Sequence, residues 1–297
     1  MVVMRAGFLG GPRNDIRCSL IMSVSNTSKR RGTILDEIMA HHREQLPKTM
    51  REIPFENVRA FARVAPPPLD FYAALAQPGV SLIAECKKAS PSKGLIVPHY
   101  DPVKIAKTYH KAGAAAISVL TDARHFQGSL EHLRDVKEAI SSLKSPIPIL
   151  RKDFIFHPYQ VHEARAAGAD AILLIAAVLG DGDLQSLLEL AHKLGMNALV
   201  EVHTEEELAR VLPLGVRIVG VNNRNLQTFE VDFNTTARLR GLVPPEVLVV
   251  GESGLKSEAD VRAMRKIGVN AVLVGESLVK SKDMYQAVWS FVAAGRG

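Results

Sequence analysis

Residues 81–94 read SLIAECKKASPSKG, an apolar run of Leu82, Ile83 and Ala84 that ends in Glu85, Lys87 and Lys88 and passes into Ser90-Pro91-Ser92-Lys93-Gly94. Side chains alternate faces along a strand, so Glu85 and Lys87 share one face and Cys86 takes the other. An acid and an amine closing a buried strand stand either at the surface or at the mouth of a pocket. The rest of the chain decides between these, and with them the fold.

Seven further apolar runs follow: AAISVL (115–120), IPILRK (147–152), AILLIA (171–176), ALVEV (198–202), RIVGVN (217–222), VLVVGE (247–252) and AVLVGE (271–276). Amphipathic segments of helix length lie between them, from VKIAKTYHKAG through EADVRAMRKIG, with MYQAVWSFVAAG last. Gly113, Gly168, Gly195, Gly215 and Gly268 close such segments as left-handed caps do. Continuously apolar strands separated by helices predict a parallel sheet covered on its outer face. Eight βα units predict an α/β protein of the (β/α)8 TIM-barrel class, with a doubly wound open sheet as the alternative. The even spacing, and the lack of a G-x-G-x-x-G turn after the first strand, favour the barrel.

Upstream, TILDEIMAHHREQL opens a helix with Thr33 as N-cap and Asp36 and Glu37 in its first turn. His41 and His42 sit among charges there and are read as solvated. FENVRAFARV and LDFYAALA are two shorter helices, separated by Pro66-Pro67-Pro68, and Gly79 closes the preamble. The organisation expected is one domain over 31–297, with extra N-terminal helices over 33–78 and the barrel from 80 to 297. Residues 1–30 carry Arg, Ser and Gly, few acids and no sustained periodicity. They are read as lying outside the fold, either a disordered tail or a start placed upstream of Met22; the weak amphipathic face disfavours a transit peptide.

Composition narrows the partners. Apolar residues make up 47% and charged residues 23%, as in a soluble globular protein. A net charge of +6 suits nucleic acid or a small anion. Basic residues are scattered, apart from Lys29-Arg30-Arg31, and aromatics are only 5%, which favours the small anion over nucleic acid. Two cysteines, Cys18 and Cys86, fit a reducing compartment, and the expected location is the cytoplasm. No apolar run approaches the roughly 18 residues of a membrane span.

A barrel presents its functional side chains at the C-terminal ends of its strands. The runs end there in Glu85 and Lys87, Lys152 and Asp153, Glu201, Asn222, and Glu252. Interior layers draw on alternate strands, so Glu85, Lys152, Glu201 and Glu252, all on odd strands, are expected in one top layer. Three carboxylates could hold Mg²⁺, but two lysines in the same mouth balance the acids and repel a divalent cation, so no metal is expected. His203 after Glu201 stands alone. The last two strands lead into GESGL (251–255) and GESL (275–278), small-residue turns where a phosphate could meet backbone and helix ends.

In this order and spacing, ECKKASPSKG, ISVLTD, LRKDFI, LVEVH, GVNNRNL, GESGL and LVGESL resemble the indole-3-glycerol phosphate synthases of tryptophan biosynthesis, from about residue 33 to the C-terminus. The resemblance implies a carboxy-lyase that closes 1-(o-carboxyphenylamino)-1-deoxyribulose 5-phosphate to indole-3-glycerol phosphate, losing CO₂ and water without a cofactor. By the same resemblance, Lys152 is the acid meeting the ketone oxygen and Glu201 the base. Lys87 grips the substrate carboxylate and can serve as acid for dehydration. Glu85 and Asn222 hold sugar hydroxyls and position the lysines, and Glu252 is a further site carboxyl. Ser90, Ser253, Gly254, Gly275 and the backbone of Glu276 are the implied anion-binding positions. The alternative is another phosphate-sugar barrel enzyme such as phosphoribosylanthranilate isomerase, which would lack the N-terminal helices and use a Cys/Asp pair; Cys86, turned away from the mouth, argues against it. Protein partners and oligomeric state are not legible.

Overall fold

The computed structural model describes residues 33–225 and 230–297, so the expectations for residues 1–30, including Cys18, lie outside the described residues. Eight strands, β1 (Ser81–Cys86), β2 (Ala116–Leu120), β3 (Ile149–Lys152), β4 (Ala171–Ile175), β5 (Asn197–Val202), β6 (Ile218–Asn222), β7 (Leu248–Glu252) and β8 (Ala271–Val274), form a closed parallel barrel. Closure is made by β1, which pairs with both β2 and β8: Ile83 is opposite Ala116 on one side and Leu273 on the other. The open-sheet alternative is thereby excluded.

The pleat divides the apolar residues into two cores. Ile83, Leu150, Leu199 and Val250 alternate with Ala116, Leu173, Ile218 and Leu273 inside the barrel. Their strand neighbours, among them Cys86, Val119, Ile172 and Val249, face outward under the helices. Both faces of each strand are therefore apolar, which is why the runs read as continuous rather than alternating. The five glycines expected as caps all have φ between +75° and +92°, a region that penalises a Cβ.

Three helices precede the barrel, α1 (Ile34–Glu52), α2 (Phe55–Val64) and α3 (Phe71–Leu75). α1 starts at a reciprocal capping box, Thr33 and Asp36 each bonding the other's backbone N–H. The expected segment stops at Leu46, before Pro47, whereas the helix continues to Glu52. Pro47 removes a single donor, and the ladder resumes beyond it, with the Ile53 N–H on the Thr49 carbonyl at 2.9 Å and the Tyr159 hydroxyl on the Ile53 carbonyl at 3.0 Å. α3 closes the N-terminal end of the barrel. Its Phe71 and Leu75 are fully buried in the interior core, and Asn197 Oδ1 accepts from the Phe71 and Tyr72 N–H groups. Asp170 accepts from Leu69 N–H and Lys137 Nζ just beside it.

The strands keep within two residues of the expected runs at each end, and two features near the mouth depart from expectation. β8 ends at Val274 rather than Glu276, because Gly275 leaves extended geometry (φ −126°, ψ −71°) and Glu276 begins a four-residue helix. The loop after β1 contains a two-stranded hairpin, Ala89–Ser90 against Gly94–Leu95.

Candidate active site at the C-terminal mouth of the barrel

All eleven expected positions line two adjoining cavities at this mouth, which share Glu85, Lys87, Lys152, Ser253 and Glu276. The pleat brings them together. Interior parity on odd strands runs Ile83–Glu85, Leu150–Lys152, Leu199–Glu201 and Val250–Glu252, so each apolar interior residue is followed two positions on by a charged one.

Lys152 is at the centre. Its Nζ is 3.5 Å from Glu201 Oε2 and 3.5 Å from Glu252 Oε2. Burial alone would lower its pKa, but Glu201, Glu252 and Glu85 outweigh burial and raise it, so it is a charged ammonium at neutral pH. For Glu201, burial pushes upward while Lys152, His203 and an Asn222 Nδ2 bond at 3.1 Å pull further down, and the net shift is downward. Glu252 goes the other way. Burial, with Glu201 and Glu85 nearby, raises its carboxyl to about 8 despite Lys152. One ammonium thus serves one carboxylate, and the second carboxyl stays protonated near neutrality. Glu252 Oε1 is buried without a hydrogen-bond partner.

Glu85, 3% exposed, pairs with Lys87 at 2.8 Å, and Lys87 Nζ lies 5.9 Å from the centre of the Phe126 ring. Asn222 is fixed from both ends, accepting from the Arg224 N–H at 3.0 Å while donating to Glu201. Across the mouth, Ser253 and Gly254 have φ of +64° and +85°, a sharp turn ending β7. The neighbouring cavity wall carries Lys93, Lys256 and Lys280 beside Gly275. Gly275 has a reason beyond any ligand: a Cβ there would stand 2.6 Å from Glu85 Oε1. Glu276, which lines both cavities, pairs its side chain with Lys280 at 2.6 Å.

One histidine reading is corrected and another is filled in. His203, with no second histidine at ligand spacing, has carboxylate neighbours: its Nε2 is 3.4 Å from Glu201 Oε1 and its Nδ1 3.3 Å from Glu207 Oε2. His42 is not solvated. Its Nε2 contacts Asp122 Oδ2 at 2.8 Å and its ring lies against Phe154, which joins α1 to the barrel. Asp122 also caps the short helix Ala123–Phe126, accepting from the His125 and Phe126 N–H groups. Behind it, Arg151 holds Asp153 at 2.9 Å and Glu163 at 2.9 Å in a buried cluster, so Asp153 is a structural neighbour of Lys152. Sequence reasoning also missed an apolar wall of Ile34, Leu35 and Ile38 from α1 with Phe126 and Phe154. The apolar Ile34, Leu35, Ile38 and Met39 at helical spacing in α1 are a signal for it, but not for which surface they cover.

A closed parallel barrel with a charged ring at its C-terminal mouth is the frame of a (β/α)8-barrel enzyme. The family model "Indole-3-glycerol phosphate synthase" matches residues 35–291. Curated indole-3-glycerol phosphate synthases of Roseiflexus sp. (strain RS-1) and Mycobacterium ulcerans (strain Agy99) are 50% and 48% identical, over 86% and 89% of this chain and 97% and 95% of theirs. The chain belongs to the indole-3-glycerol phosphate synthase family. Its activity is therefore the decarboxylating carbon–carbon lyase step of tryptophan biosynthesis, and the isomerase alternative is not favoured. Among solved structures, a 3-hexulose-6-phosphate synthase matches with TM-score 0.59 at 16% identity, over 72% of this chain and 99% of that one, which shows the fold alone. Among the described residues no helix is long and apolar enough to cross a membrane.

Proposed function

We propose that Lys152, Glu201 and Lys87 divide the proton transfers of ring closure among them, on 1-(o-carboxyphenylamino)-1-deoxyribulose 5-phosphate as substrate. The observation that carries this reading is the buried Lys152 ammonium, 3.5 Å from a carboxylate and from a largely protonated carboxyl. As the aromatic carbon bearing the carboxylate attacks the ketone carbon, negative charge grows on the ketone oxygen. Lys152 donates its proton there, an interaction made mainly in the transition state. The C–CO₂ bond then breaks and its electron pair restores aromaticity. Finally the new hydroxyl leaves as water, protonated by Lys87, while Glu201 takes the ring proton.

The surroundings support these roles. The wall of Ile34, Leu35, Ile38, Phe126 and Phe154 suits the substrate's benzene ring. Lys87 beside Phe126 puts an ammonium at the edge of that wall, where the ring's carboxylate would lie. Ser253, Gly254, Gly275 and Glu276, whose backbone is the part read as meeting the anion, line the adjoining cavity with Lys93, Lys256 and Lys280, a cationic seat for phosphate, and Ser90 lines the cavity beside it. Glu85 and Asn222 orient Lys87 and Glu201 and are placed to meet the sugar hydroxyls. We place the reaction in the cytoplasm, a reading supported by few cysteines and by a Cys86 thiol that is fully buried and pushed upward in pKa.

Glu201→Gln tests the division of roles. It keeps the shape and removes the base, which is worth on the order of 10²–10⁴ in rate. Single-turnover measurements are expected to show CO₂ release outrunning indole formation. Equal slowing of both products would move Glu201 to the ring-closure step.

A further inference from the structure

The Glu252 carboxyl leans off its own strand, β7, onto the backbone of β6. A Cβ built on Gly220 would collide with Glu252 Oε1 and stand 3.2 Å from its carboxyl carbon; Leu199 Cδ1 would also be 3.2 Å away. Gly220 is not among the residues with positive φ, so its backbone conformation does not call for glycine. A glycine inside a strand weakens it and marks a place where something approaches the backbone closely. Here the approaching group is the carboxyl. Oε1 is buried with no hydrogen-bond partner, while Oε2 faces Lys152 at 3.5 Å, so the space over Gly220 is what accommodates Oε1. The next even strand repeats the device. Gly275, at the end of β8 with φ −126°, lies under Glu85, whose Oε1 would be 2.6 Å from an added Cβ. A glycine within β6 and one just past the end of β8 thus each seat a carboxyl from an odd strand.

We propose that Gly220 is a positioning residue for the lyase reaction: its missing side chain is the seat that holds the Glu252 carboxyl beside Lys152. This rests on the reading of Glu252 as a site carboxyl, and acts through it. An alanine at 220 would push the carboxyl off β6 and change its distances to the groups that face it, Lys152, Glu201, Glu85 and His203. Misplacement on the ångström scale at a reacting centre costs up to about 100-fold in rate.

The test is a kinetic cycle of G220A, E252D and G220A/E252D, with G220A/L199V as control and each variant's folding checked by circular dichroism and Tm. G220A is expected to lower kcat about 10- to 100-fold with KM within about threefold, and to shift the pH dependence of kcat. In the E252D background, where the shorter side chain leaves room, adding G220A is expected to cost less than about threefold. G220A/L199V should keep the whole loss. The proposal is overturned by wild-type kcat in G220A, by equal cost in both backgrounds, or by recovery in G220A/L199V, which would place the strain at Leu199. Should G220A alone not fold, the step from E252D to G220A/E252D decides by the same limit. Unchanged kcat in E252D and in a further variant, E252A, would remove Glu252 from the site and the proposal with it. Impaired E252D with equal G220A costs would overturn the proposal alone.

Discussion

Glu252 and Glu201 are chemically identical side chains two strands apart, yet their carboxyls titrate in opposite directions. Glu201 has the Asn222 amide, His203 and Lys152 around it, whereas Glu252 has Lys152 and an oxygen without a partner. That difference was not legible in the sequence. Parity placed both carboxyls in one layer, but Lys152 stands 3.5 Å from each, and the Asn222 bond that favours the Glu201 carboxylate comes from another strand and is announced by no spacing. A carboxyl raised from 4.5 to about 8 makes the native state bind a proton that the unfolded state releases between those values. Its stabilising contribution is therefore full below about 4.5 and is lost as pH rises through about 8. Glu252→Gln keeps the neutral shape without the titration. Thermal melts across pH should show Tm of this variant gaining on the unsubstituted protein between pH 5 and pH 8; parallel curves would mean that Glu252 is ionised throughout.

Among the elements, α1 combines a legible part with an illegible one. Its N-cap at Thr33 and its first-turn acids are local, so sequence spacing revealed them. Its docking is tertiary, because His42 meets Asp122 from 80 positions away and no local pattern announces that. The same limit hid the hairpin after β1, whose strands have two residues each and no room for a period. Burial lowers the His42 pKa, but the bond and charge of Asp122, with Asp153, raise it overall. The pair therefore stabilises fully below the ordinary histidine value of 6.5, and the stabilisation is lost as pH rises through the raised one. His42→Ala leaves Asp122 its bonds from His125 and Phe126, so the expected cost is below that of orphaning a buried charge: about 2 kcal/mol, or a Tm drop of roughly 4–8 °C, near pH 6. The drop should shrink at pH 9. KM should rise more than kcat falls, since α1 carries Ile34, Leu35 and Ile38 into the cavity at the mouth, where the substrate is proposed to bind. A pH-independent loss of Tm with unchanged KM would reduce His42 to packing.

Across the molecule, the barrel was the most legible feature, because eight apolar runs buried on both faces leave few other ways to close a sheet. The gathering of the candidate site residues at one mouth followed from the same regularity. Strand ends are sites in this fold, and interior parity joins Glu85, Lys152, Glu201 and Glu252 although 167 positions separate the first from the last. What the fold does not dictate is the side-chain packing between neighbouring strands, such as Glu252 over Gly220, which depends on rotamers rather than on period. In the proposed mechanism this assembly places one charged lysine at the oxygen where charge develops. The most direct test of that placement is single-turnover kinetics of Lys152→Ala with saturating substrate, following CO₂ and indole-3-glycerol phosphate together. Loss of one such group typically costs about 10²–10³ in kcat, so both products are expected to slow by at least that factor, with KM little changed. Near-normal turnover with only a weakened KM would make Lys152 a binding residue and contradict the account.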